Sequence, residues 1–188
     1  MKKAALLIAF GLMVLAQWWV PVEMILGSQR ILEEGHPLKF RCAPVHPTDP
    51  FRGRYIVLDF EVARVEVKPE QDFGAAKEVY LVFSKDSLGF ARVESVSANP
   101  PVGSPLFVKA PIAFIDTEGG RKFLNLDLPF TRFYLEETKA PIAESLYRQG
   151  VSDTLGNTYG LVYIRNGEAR IGDVFIRDTS ILKRLGAK

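Results

Sequence analysis

Cys42, His36, His46 and Asp49 are the residues of this chain with the richest potential chemistry. A thiolate beside an imidazole is a nucleophile, and the four side chains together would be a metal-ligand set. Their spacing supports neither. Cys42 and His46 are separated by Ala43-Pro44-Val45, and neither Pro44 nor the strand alternation before it places them face to face. No CxxC or HxxxH spacing supports a metal. Glu136, Glu137 and Glu144 suggest paired carboxylates, but on and before a short helix such residues more often face water or favour its amino-terminal end. Gly119-Gly120 lies between two predicted strands and reads as a hairpin turn, not as a phosphate-binding loop. The expectation is therefore no catalytic set, no metal and no cofactor.

The elements that must position these residues begin with a membrane segment. Lys2 and Lys3 precede the run Ala4 to Val20, in which Gln17 is the only clearly polar side chain, and apolar character resumes past Pro21 and Glu23 as far as Leu26. About 20 residues are needed to cross a bilayer, so residues 4–22 are just long enough. Paired lysines before the run and no basic cluster after it predict the amino terminus inside and the body outside. Trp18 and Trp19 stand where an aromatic belt marks the far interface, and Pro21 predicts the end of the regular helix soon afterwards. A signal peptide cut after Val14-Leu15-Ala16 is the competing reading, and it too exports the body.

The chain of 188 residues is 47% hydrophobic, enough to fill one core. Its formal charge is only +2, so the body is a poor nucleic-acid binder. A single cysteine excludes an intramolecular disulfide. In Pro37-Leu38-Lys39-Phe40-Arg41-Cys42 apolar and charged residues alternate, which puts Cys42 on the face of Leu38 and Phe40 as a buried structural thiol.

Gly27 to Pro37 reads as a polar connector or short helical stalk. Further strands are predicted at 54–67, 78–84, 90–98, 106–115 and 121–126. Within the first, Ile56, Leu58, Phe60 and Val62 share one parity while Ala63, Val65 and Val67 share the other, which predicts a bulge or bend near Val62 and Ala63. Asn166-Gly167 between 160–165 and 168–176 predicts a hairpin with a type I′ turn. Pro141 in the first turn and Gly150 just past the end bound one short helix at 140–149. Gly89 to Val96 and Gly167 to Val174 share G-x-A-R-[V/I]-x-x-V, a match open to duplication of a hairpin or to chance.

Before the first long strand, three prolines at 44, 47 and 50 hold the backbone extended, Asp49 is suited to capping a turn, and Gly53 tolerates backbone angles that other residues resist. This segment, ending Arg52-Gly53-Arg54-Tyr55-Ile56-Val57-Leu58-Asp59-Phe60, resembles the signature of the membrane-anchored GDYXXLXY family. Gly53, Tyr55 and Leu58 match, whereas Arg54 replaces the family's Asp and Phe60 its final Tyr. Arg132-Phe133-Tyr134 followed by Glu137 and Glu144 resembles the family's later Arg-aromatic-aromatic and paired-Glu segment. The resemblance implies a single-pass anchor carrying a β-rich outer domain of unknown activity. Families of this kind are often encoded beside multi-pass membrane proteins, which implies a partner. The same approach faintly resembles the Gly-Asp region of signal peptidases, but no Ser-Met-x-Pro box precedes it.

The expected fold is mainly β: an N-terminal transmembrane helix, residues 1–26, a connector, 27–37, and one antiparallel β-rich domain, 38–188, either a sandwich or a partly closed barrel. An Asp-to-Arg exchange at position 54 reverses charge, so a binding or structural role is favoured over catalysis. The candidate binding residues are Asp49, Arg52, Gly53, Arg54, Tyr55, Arg132, Tyr134, Glu137 and Glu144, with merely solvated arginines as the plainer alternative. The expected function is a membrane-anchored extracytoplasmic accessory or binding domain that works with an envelope or multi-pass membrane protein. Its expected site is the inner membrane, with the N-terminus cytoplasmic. The alternative is an envelope hydrolase using a cleft near the Asp49 to Tyr55 turn.

Overall fold

The computed structural model describes residues 2–44, 55–74, 76–152 and 157–186, and the side chains of residues 2 and 4–9 are outside the description. The chain opens with α1, Lys2–Glu34, which contains Pro21 without ending there. This corrects the expected stop after Pro21, and of the two readings of residues 27–37 the helical stalk is the one that agrees with α1 as far as Glu34. The missing N–H of Pro21 removes one helical bond, and the bonds on either side of it carry the helix through. From Phe10 to Glu34 the helix is long and apolar enough to cross a membrane. Its large apolar side chains, Trp18 and Trp19 among them, are exposed, whereas Ile31 is buried where the last turns dock on the domain. Glu34 and Arg165 pair there at 2.7 Å.

The domain is built from antiparallel strands. β1, His36–Arg41, pairs with β9, Thr158–Arg165. β9 forms the expected hairpin with β10, Glu168–Ile176. Asn166 and Gly167 both take positive φ, 51° and 86°, as a type I′ turn demands. A short β11, Thr179–Ser180, extends this sheet and leads into α3, Ile181–Arg184, whose N-cap Ser180 accepts from Lys183 N–H.

The second large sheet has the order β3, Arg64–Val67; β7, Arg121–Leu126; β6, Phe107–Glu118; β4, Glu78–Lys85; β5, Ala91–Ser97. The two sheets meet through single parallel bridges, Lys39 to Phe90 and Val108 to Gly167. They thereby approach closure as a barrel, and a partly closed barrel is the one of the two expected forms that is found. Phe40, Phe60, Phe83 and Phe130 fill it; Phe40 lies 5.1 Å from both Phe83 and Phe130, centroid to centroid.

The parity switch expected near Val62 and Ala63 is real, but its consequence is larger than a bulge. β2, Tyr55–Val57, belongs to a two-stranded sheet with β8, Arg132–Tyr134, while β3 enters the large sheet. A 3₁₀ turn at Glu61–Ala63, closed by Ala63 N–H to the Phe60 carbonyl, carries the chain between them. Gly160 makes this possible, since a Cβ there would lie 2.9 Å from the Phe60 ring. α2, Ala140–Ser152, runs past Gly150, contrary to expectation. Gly150 is not a stop signal: without a Cβ, which would lie 2.6 Å from Ile176 and 2.8 Å from Thr158, it lets the helix press onto the barrel.

Candidate functional site

The motif around Tyr55 divides by strand parity. Ile56, Leu58 and Phe60 are buried, so the leucine and terminal aromatic of the signature are core residues. Tyr55 points to the other face. There it is the cross-strand partner of Tyr134, the rings 5.4 Å apart, and the Arg132 guanidinium lies 5.4 Å from the Tyr55 ring centre. Tyr134 is 65% exposed, and Arg132 is exposed too. Three candidate residues far apart in sequence therefore form one aromatic and cationic cluster, an arrangement that favours binding flat or anionic groups.

Arg132 and Tyr134 lie at the rim of a cleft of about 1080 Å³. One wall is α1 at Met24 and Ser28; the others are Asp59 to Ala63, the segment from Leu126 to Tyr134, and Ala169 to Ile171 of β10. Phe130 anchors the Leu126 to Tyr134 wall in the barrel core, and Leu58 N–H donates to the Thr131 carbonyl at 2.8 Å to extend the β2–β8 pairing. The β10 wall is a β-bulge: Ile171 faces Val162 and Asp173 faces Leu161, which leaves Gly172 unpaired. The cleft lining is mixed, with Arg132 and Arg170 against Asp59 and Asp127.

Asp49, Arg52, Gly53 and Arg54 lie outside the described residues, as does His46. Glu144 is not in the cleft; it pairs with Arg148 one turn along α2 at 2.6 Å. Glu137 does not line the cleft either. Sequence reasoning missed Ser28, Asp59, Asp127 and Arg170 as cleft residues. The only available signal was the hairpin repeat, which contains Arg170.

Cys42 packs on the core beside the buried Tyr147. Burial pushes its thiol up to about 12, and Glu61 and Asp59 reinforce the rise, against hydrogen bonding from Tyr147 and Gly160. Burial also raises Tyr147, whose hydroxyl sits by Cys42. A thiol held protonated at neutral pH is a poor nucleophile and a poor metal ligand. Among the described residues no three His, Cys, Asp or Glu side chains are grouped to hold a metal.

An apolar helix docked on a nearly closed β-barrel, with a mixed cleft between them, defines a helix-tethered β-domain. The GDYXXLXY protein family model matches residues 17–174, most of the chain, and the protein belongs to that family. The match begins within α1 and ends in β10, so it includes every wall of the cleft. Comparisons with curated proteins and with solved structures gave no match.

Proposed function

We propose that this protein is a membrane-anchored extracytoplasmic binding domain that serves another envelope or multi-pass membrane protein. α1 would cross the inner membrane once with the amino terminus in the cytoplasm, which the placement of Lys2 and Lys3 supports. The observation that carries the reading is the strand pairing that brings Tyr55 together with Arg132 and Tyr134, two residues that line a large cleft. Tyr and Arg are the side chains most enriched at binding hot spots. The Cys42 thiol, held protonated by burial, speaks against Cys42 as a nucleophile.

Photo-cross-linking in intact membranes tests this, with the cross-linker placed at position 134 and, as a control, at the exposed position 88. Capture of a defined envelope protein from position 134 but not from 88 is the expected result. Recovery of the anchored protein alone, under conditions that capture known envelope complexes, would defeat the proposal.

A further inference from the structure

We propose that the cleft between α1 and the barrel holds the headgroup of one zwitterionic phospholipid, with its phosphate on Arg132 and Arg170 and its ammonium toward Asp59 and Asp127. This goes beyond the accessory role and rests on its anchored half. The placement argument comes from α1. Of its two cleft residues, Met24 falls inside the apolar run that ends at Leu26, and Ser28 lies just beyond it. With the span read from the sequence ending near residue 22, a rise of about 1.5 Å per residue puts Met24 and Ser28 about 3 and 9 Å beyond it, at the depth of the headgroups. Phospholipid headgroups are the most concentrated solutes there.

The lining matches that chemistry. Neither arginine is ion-paired with a described carboxylate: Arg132 rests over the Tyr55 ring, and Arg170 donates to the carbonyl of adjacent Ala169 at 2.9 Å. Each guanidinium has five N–H donors, so donors remain for phosphate oxygens. Sites for anionic lipids are built from clustered basic residues, but two aspartates line this cleft beside the arginines. Charges of both signs fit a phosphate and an ammonium held together. Met24 and Ile171 supply apolar wall for the glycerol and first acyl carbons. A volume of about 1080 Å³ is large enough for a headgroup with its glycerol.

The test uses the full chain in maltoside micelles, supplemented with phosphatidylethanolamine or phosphatidylglycerol, and counts retained lipids by native mass spectrometry. The expected result is one phosphatidylethanolamine per chain, favoured about tenfold over phosphatidylglycerol. An Arg132→Gln, Arg170→Gln double variant should lose at least about tenfold in retention, while an Arg121→Gln, Arg148→Gln control keeps it. Unchanged thermal melting of both variants excludes misfolding as the cause. Equal retention by wild type and cleft variant would overturn the inference. So would displacement of the lipid by millimolar inorganic phosphate, which would indicate a simple anion site. Loss of position-134 cross-links in the cleft variant without any lipid retention by the wild type would assign the cleft to the partner protein instead. Vesicle flotation separates the two layers: wild-type protein that floats but retains no lipid overturns only the cleft inference, and protein that does not float overturns the anchor as well.

Discussion

The β4–β5 and β9–β10 hairpins carry the same eight-residue pattern and occupy corresponding places. Each has its first strand paired to a third strand, β6 or β1, and each reaches across to the other sheet by one parallel bridge near its turn. Gly89 and Gly167 both take positive φ, 80° and 86°. Both second strands bulge at the same place in the pattern, leaving Glu94 and Gly172 unpaired. Shared bulges are better explained by duplication than by chance, because a bulge is a specific backbone feature that a short letter match does not require. The hairpins differ in what surrounds these positions. A Cβ at Gly89 would meet open space, whereas one at Gly167 would lie 2.7 Å from the Phe107 ring and one at Gly172 2.6 Å from the Tyr163 ring. The second hairpin is the one that lines the cleft. Two copies of one device thus diverge, the first kept as a turn and the second packed tightly where it helps form the site.

The largest effect should separate the two turn glycines. Gly167→Val adds steric conflict with Phe107 to backbone strain and should cost about 3 kcal/mol or more, whereas Gly89→Val adds strain alone, about 1 to 2 kcal/mol. Denaturant unfolding measures both, and equal losses would erase the proposed difference. At the bulges the contrast should be smaller. Gly172→Val has to displace the Tyr163 ring and should cost about 1 to 2 kcal/mol, while Glu94→Val, at an exposed site, should stay within about 0.5 kcal/mol. A neutral Gly172→Val would mean that Tyr163 yields freely.

The smallest effect concerns the turns themselves. Asp86 organises the first turn: its carboxylate accepts from Phe90 N–H at 2.8 Å, from Leu88 N–H at 2.9 Å and from Arg41 at 3.2 Å. These bonds, led by that from Phe90, hold the carboxyl below its ordinary range. The folded state therefore favours the charged form, and the contribution is complete above the unfolded value of about 4 and fades as pH falls through the depressed folded value. The stability gap between wild type and Asp86→Asn should be constant near neutrality and close on acidification below about pH 4. The second turn relies on the positive φ of Asn166 and Gly167. A gap that persists unchanged into strong acid would contradict this account of the first turn.

The comparison also marks what the sequence made legible. β7 and β10 fall within a residue or so of expectation because alternation and an Asn-Gly turn are local signals. The aromatic cluster was legible as a set, Tyr55 with Arg132 and Tyr134, but not as a contact: β8 is three residues long, too short for alternation to announce it. The separation of β2 from β3 into different sheets depends on Gly160 admitting the Phe60 ring, a contact across a hundred residues that no window of sequence contains. The cleft was illegible for the same reason, since its walls come from four separate segments. Pro21 and Gly150 misled because their local meaning as stop signals yields to the helical bonds on either side in one case and to close packing in the other.

The central claim is that the barrel and its cleft stand outside the cytoplasm on an uncleaved α1. Cysteine accessibility in a Cys42→Ala background tests it most directly, with Lys85→Cys reporting on the exposed domain surface and Lys3→Cys on the amino terminus. A membrane-impermeant maleimide applied to intact spheroplasts should label the cysteine at position 85 at once, and that at position 3, still present in the mature chain, only after the membrane is disrupted. Labelling in the opposite order, or mature protein that has lost position 3, would contradict the account.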